Sequence, residues 1–368
     1  MQYDAAITAS ALTTSLASNA ALSSSTVEAI STILSLNTAT TVDAATSNGK
    51  NLSVNFDSNG NIVTPDVAFF SDLGAVGANV TVTIPSVLAK TSAFIFDTPA
   101  NVTAVFGSAT TATSATTEGA VAGRVIVSGT GNDTITVNDN VNTYIDGGAG
   151  NDTITTAGGS DTIVLNGGNN VVKTGAGDDL IKAGSGNDNI DGGAGFDVVQ
   201  LSGSGYTAAV SNGHVTFTGT NANGDSTTTT LTNIQLVETS AGNVAVVASQ
   251  DEATVMRFYE GLLGRDVDAS GFQAWASQLS GGSTVTQIAQ SFLNSTEYTT
   301  AHASQSDAAF IQSLYQGVLD RGVDNEGLVF WAQQLVTGHS RADVAVGIIG
   351  STEAQNHDTG VIVVTGQV

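Results

Sequence analysis

The most regular feature of the chain is a large apolar residue that returns at every ninth position between residues 128 and 200. It falls at Ile135, Tyr144, Ile154, Ile163, Val172, Ile181, Ile190 and Val199, with the spacing broken once by an extra residue near Asp146. Two places before each stands an acidic or amide residue: Asp133, Asn142, Asp152, Asp161, Asn170, Asp179, Asp188 and Asp197. Glycines crowd the places ahead of these, so the unit reads Gly-Gly-x-Gly-x-Asp-x-U-x, where U is the large apolar residue. Gly147–Asp152 and Gly192–Asp197 are the best-formed copies. A degenerate copy, with Ile126 at U and Arg124 in place of Asp, starts the array and is expected to bind no metal.

Each unit predicts a turn followed by a short strand. The Gly/Asp-rich residues need positive φ angles, which glycine supplies without steric cost. Two units make one coil, and successive coils stack about 4.8 Å apart with the U side chains pointing inward. Turns on one side then belong to every second unit, which places Asp133 over Asp152, and Asp161 over Asp179 over Asp197. A flexible linker of the same composition would not keep an apolar residue in register.

Stacked carboxylates about 4.8 Å apart repel by roughly 1 kcal/mol in water and several-fold more near a protein surface. That gap is about twice a Ca²⁺–oxygen distance of about 2.3–2.6 Å, so one ion fits between coils, held by carboxylates and exposed backbone carbonyls. Ca²⁺ is therefore the expected cofactor, and its binding energy becomes folding energy. The candidate metal-site residues are Asp133, Asp152, Asp161, Asp179, Asp188 and Asp197, with Asn142 and Asn170 as weaker, uncharged partners. The turn glycines Gly131, Gly148, Gly150, Gly159, Gly175, Gly177, Gly186, Gly193 and Gly195 complete the set. Mg²⁺ is a poor substitute, because it demands tighter octahedral geometry.

Around the array the pattern changes. Residues 1–40 carry helical spacing at Val27, Ile30, Ile33 and Leu34. Residues 41–118 alternate, as in Val80-Thr81-Val82-Thr83-Ile84, and predict irregular β-coils leading into the array at 119–200. Residues 201–249 read as a β capping segment, with turns at Ser211-Asn212-Gly213 and Asn223-Gly224-Asp225. Residues 250–358 are helical and duplicated. Phe258–Arg265 recurs as Leu314–Arg321, Trp275-Ala276 as Trp331-Ala332, and Ser295-Thr296-Glu297 as Ser351-Thr352-Glu353. Residues 359–368 form a tail with an apolar Val361-Ile362-Val363-Val364. The fold class is thus mainly β with a separate α domain: a parallel β-roll or β-helix solenoid followed by an all-α helical domain.

Charge narrows the partners. Among 368 residues, 33 are acidic and 9 basic, for a net charge of −24. That excludes the basic footprint of a nucleic-acid binder and points to cations. There is no cysteine, which removes disulfides, thiolate zinc sites and cysteine nucleophiles. No run of about eighteen apolar residues predicts membrane insertion, and Met1–Asp4 opens no signal peptide of the cleaved kind. The four histidines, His214, His302, His339 and His357, form no His-Glu-x-x-His pattern, and no Gly-x-Ser-x-Gly elbow occurs. No enzyme is expected.

In the loop after the first duplicated helix, Asp266, Asp268, Ser270 and Gly271 match the start of an EF-hand loop, but Ser277 stands where its final Glu belongs. Asp268 and Asp324 read as helix N-caps instead. Trp275 and Trp331 read as core residues.

The nonapeptide array resembles the RTX (repeats-in-toxin) calcium-binding β-roll. That resemblance implies type I secretion: an unfolded chain leaves the calcium-poor cytosol under an uncleaved C-terminal signal and folds outside. By position, 359–368 is the candidate signal, and Leu231-Thr232-Asn233-Ile234 resembles the segment that closes such rolls. The duplicated helices resemble a domain of unknown function that follows RTX repeats, is similar to phycobilisome linker domains and has relatives in S-layer proteins. Together these imply a secreted, extracellular calcium-binding structural protein that self-associates at the cell surface in an S-layer, filament or biofilm matrix. A calcium-dependent adhesin for surface polysaccharide or lipopolysaccharide is the alternative, and a hydrolase accessory the third.

Overall fold

The computed structural model describes residues 6–19, 22–107, 122–221 and 224–365. Met1–Asp4, the start of the expected roll at 119–121, the turn residue Asn223 and the tail end 366–368 lie outside the described residues. Two compact units divide the chain, Met1–Ile234 and Gln235–Val368.

In the first unit the chain coils between two parallel sheets. One sheet runs through Asn79–Thr83, Asn101–Phe106, Thr134–Val137, Thr153–Thr156, Val171–Lys173 and Asn187–Asp191. The other runs through Ala44–Ser47, Val67–Ser71, Ala93–Asp97, Arg124–Val127, Thr143–Asp146, Thr162–Val164, Leu180–Ala183 and Val198–Leu201. Between them lies the apolar ladder. Ile135 pairs with Ile154, Ile154 with Val172 and Val172 with Ile190, while Ile126, Ile145, Ile163, Ile181 and Val199 form the facing column. All of these are buried.

The coils ahead of the glycine-rich stretch continue the same pairing with larger fillers. Phe70 stacks on Phe96 with ring centres 4.7 Å apart, and Phe94 meets Phe106 edge-on at 4.9 Å. Arg124 bridges to Asp139 at 2.8 Å, at the place where the later units carry Asp. After the array, Ser226–Thr232 pairs parallel with Asn187–Asp191 and then turns the sheet antiparallel through His214–Thr220 and Ser204–Ser211.

Two N-terminal helices, α1 (Ala9–Ser18) and α2 (Ser24–Ile33), cover the outer face of the second sheet. Leu12, Leu16 and Ile30 pack there against Val67, Ile95, Val125 and Val127, an apolar set that would otherwise face water. The Thr26 hydroxyl donates to the fully buried Asp146, which also accepts from Asn166 and from the Gly148 amide.

The second unit is helical around a small sheet. Leu236–Thr239 pairs antiparallel with Gly242–Val247, which pairs parallel with Val361–Val363, so the apolar tail of the chain is a strand here. The helices are α3 (Gln250–Phe258, continued by a π-turn Tyr259–Leu263), α4 (Ala269–Ser280), α5 (Val285–Asn294), α6 (Thr296–Ala301), α7 (Asp307–Leu319), α8 (Asn325–Val336), α9 (Arg341–Ile349) and α10 (Thr352–His357). The duplication is visible contact by contact. Trp275 donates to the Tyr259 hydroxyl and Trp331 to the Tyr315 hydroxyl, each at 3.1 Å. Arg265 lies over Tyr259 and pairs with Glu297, and Arg321 lies over Tyr315 and pairs with Glu353. Asp268 and Asp324 cap α4 and α8, and Arg257 meets Asp358 in a buried ion pair at 2.6 Å.

Candidate metal centre

The acidic positions form two columns, one on each side of the coil. The first holds Asp133, Asp152, Asn170 and Asp188; the second holds Thr143, Asp161, Asp179 and Asp197. In each column the backbone amide of one residue donates to Oδ1 of the next, eighteen or nineteen residues on. The distances are 2.9 Å for Asp133 to Asp152, 2.9 Å for Asp152 to Asn170 and 3.0 Å for Asn170 to Asp188. The second column gives 2.7 Å for Thr143 to Asp161, 2.7 Å for Asp161 to Asp179 and 3.0 Å for Asp179 to Asp197.

This ladder corrects the register expected at one unit. Ile145, not Tyr144, pairs with Ile163, so Thr143 occupies the Asp place and the extra residue lies ahead of it. Asn142 falls one position earlier, where its side-chain oxygen accepts from the Ser160 amide at 2.9 Å. The shift places Tyr144 on the outer face, where its hydroxyl meets Ser25 and Thr26 of α2.

The glycines are fixed by close approach. The carbonyl oxygen of Gly131 stands where a β-carbon on Gly150 would have to go, as does that of Gly159 for Gly177 and that of Gly177 for Gly195, so any side chain at the later residue would strike it. Gly175 and Gly193 stand in the same relation, as do Gly148 with Gly129 and Gly186 with Gly168. Gly150 and Gly177 also have φ of 130° and 143°, values that L side chains rarely adopt.

One oxygen of each ladder carboxylate is used by the amide below it. The Oδ2 atoms of Asp133, Asp161, Asp179 and Asp188 are buried and accept no hydrogen bond. The nearby Thr156 hydroxyl donates to the Thr174 carbonyl at 2.6 Å, and that of Thr174 to the Gly192 carbonyl at 2.8 Å. A buried carboxylate oxygen without a donor is costly, and a bound cation is one remedy.

The same burial acts on the carboxyl groups as acids. Loss of solvent pushes Asp133 and Asp188 up to about 6, Asp152 and Asp179 to about 7, and Asp161 to about 8. Asp197 rises to about 9, through burial first and the charge of Asp179 second. Without a cation, Asp161 and Asp197 would hold protons at neutral pH, Asp152 and Asp179 would be about half protonated, and Asp133 and Asp188 would be mostly ionised.

The donor set is oxygen throughout: carboxylates from Asp and carbonyls from the turn glycines. Among the described residues no three His, Cys, Asp or Glu side chains converge on a point. That pattern suits a hard ion that takes backbone oxygen, as Ca²⁺ does, and not a soft or imidazole-seeking metal. The residues present therefore fit calcium.

Residues 138–172 and 165–199 match the family model of the RTX calcium-binding nonapeptide repeat. The stack is an array of RTX repeats. Residues 244–301 and 289–357 match a domain of unknown function, DUF4214, once for each half of the duplicated helices. No curated protein and no solved structure matches the chain. The RTX match stops short of Asp133, yet the ladder continues there: the Val102 amide donates to Asp133 Oδ1 at 2.7 Å.

One further RTX-register feature escaped the sequence reading, a row of asparagines one place before the acidic column. The Asn132 amide donates to the Asn101 side-chain oxygen at 2.8 Å, and Asn151 to Asn132, Asn169 to Asn151 and Asn187 to Asn169 at 2.7–2.8 Å. The recurring Asn at the fifth place of the unit was its signal. In the loop 265–271, Arg265 and the α4 N-terminus take up Asp268, so no metal is called for there.

Proposed function

We propose that the protein is secreted, folds its roll on extracellular calcium, and serves as a non-catalytic structural component that assembles at the cell surface. The observation that carries this reading is that the Oδ2 atoms of Asp133, Asp161, Asp179 and Asp188 are buried without a hydrogen-bond donor. In calcium-poor surroundings the columns would need protons or would separate, and the chain would stay unfolded for export by a type I route. In millimolar calcium each ion would bridge two turns and draw the coils together, so that binding and folding are one event.

The tail 359–368 remains the candidate export signal, and the pairing of its Val361–Val363 with Gly242–Val247 would then form only after export. Assembly is supported by the open strand edges of the first unit, such as the exposed Ser204–Ser211. Calcium titration into chelator-treated protein, followed by circular dichroism and light scattering together, separates folding from assembly. A gain of β-signal followed by rising scatter supports the proposal; a signal indifferent to calcium removes it.

A further inference from the structure

The two halves of the helical unit expose the same positions with opposite polarity. On α4 the outward residues are Gln273, Ala274 and Ser280. Their counterparts on α8 are Val329, Phe330 and Val336, which are 68%, 54% and 79% exposed. No residue of α8 is fully buried. Tyr315, Glu326, Phe330 and Trp331 line an open hollow of about 880 Å³ on this side. Phe330 is already held in place, edge-on to Trp331 at 4.9 Å, and Trp331 is anchored by the Tyr315 hydroxyl. Covering that face would therefore sacrifice little side-chain freedom.

Charge selects the occupant. From Gly327 to Ser340 the sequence contains no Asp, Glu, Lys or Arg, in a chain of net charge −24. Two such chains repel wherever their carboxylates meet, and this stretch lets apolar side chains touch without that repulsion. We propose that α8 is a self-association surface, packing antiparallel against α8 of a second copy about a two-fold axis. In such a contact residue i meets j and j meets i. Val329 then meets the partner's Val336, and Phe330 meets the partner's Leu335, on either side of an axis that passes between Ala332 and Gln333. The same register brings Glu326 toward the partner's His339, an imidazole and not another carboxylate.

One helix face is small beside the roughly 1,200–2,000 Å² buried in stable complexes, so a single contact is weak, in the micromolar range. Repeated across an array it would hold. The proposal deepens the assembly reading above by naming one contact, and it rests on that reading only for its biological setting.

Sedimentation equilibrium of the full chain in calcium, across micromolar concentrations, tests it. Wild type is expected to show a monomer–dimer equilibrium. V329Q/F330A/V336S, which copies the residues α4 already carries, is expected to weaken dimerisation at least tenfold with unchanged circular dichroism. Val329→Glu, a single change at an exposed site, should do the same and carries the test if the triple variant misfolds. A chain that stays monomeric, or a dimer indifferent to both variants, overturns the proposal. So does a wild-type monomer that binds soluble polysaccharide through this face. The calcium response of the roll, read on the same samples, stands or falls separately.

Discussion

The backbone amide of Asp161 donates to Oδ1 of Asp179 at 2.7 Å, and the Oδ2 atoms of both residues are left buried with no donor. A single contact of this kind ties together the three properties of the roll. It sets the coil register, it commits one carboxylate oxygen to the backbone, and it leaves the other buried without a donor.

Asp179→Asn keeps the accepting oxygen, so the ladder bond to Asp161 should survive, but it removes a charge from the middle of the second column. The roll should still form, and the calcium concentration at half-folding should rise roughly tenfold, about 1.4 kcal/mol for one decade. Calorimetric or spectroscopic calcium titration of the variant checks this.

Acid should replace calcium in part. The ladder carboxyls lie at about 6 to 9 in the folded roll, above their ordinary value, because of burial. The metal-free folded roll thus holds more protons than the unfolded chain. Its stability is greatest at low pH and declines as pH rises from about 4 through the range of about 6 to 9. In chelator, β-structure is expected to be greater at pH 5 than at pH 8. With calcium present the trend reverses for affinity, since protons compete for the same oxygens. Circular dichroism at the two pH values, with and without chelator, distinguishes these effects.

Gly177→Ala should damage the roll at one point. Its β-carbon would strike the Gly159 carbonyl oxygen, and the φ of 143° is unfavourable for any side chain. The expected loss is about 1–3 kcal/mol or more of roll stability in calcium, seen as a lower denaturation midpoint.

The helical unit should respond differently. Asp358→Ala leaves the Arg257 guanidinium buried without its partner, since both side chains are only 3% exposed. Loss of one member of a buried pair costs about 3–5 kcal/mol. Thermal unfolding of the helical signal should shift down, by the same amount with calcium or with chelator.

The roll was legible because its period is written in two chemically distinct residue types, apolar at U and acidic two places before. The slip at Thr143 was not. Asn142 and Thr143 are both polar and Tyr144 and Ile145 both apolar, so either alignment satisfies the pattern, and only strand pairing with Asp161 and Ile163 decides between them. Helix α2 was visible in the spacing of Val27, Ile30 and Ile33, but α1 had no such spacing to mark it and the purpose of the two was not visible. It depends on Val125 and Val127 being apolar on the outer face as well as the inner, a tertiary matter. The strand Val361–Val363 read as a tail because three apolar residues carry no period long enough to tell a strand from a signal.

Hydrogen–deuterium exchange resolved along the chain, in millimolar calcium and again in excess chelator at neutral pH, tests the central claim most directly. The amides between residues 129 and 199, including those of Asp161 and Asp179, are expected to be protected in calcium and to exchange freely in chelator, while the helical unit keeps its protection in both. Equal protection of the roll amides under the two conditions would contradict it.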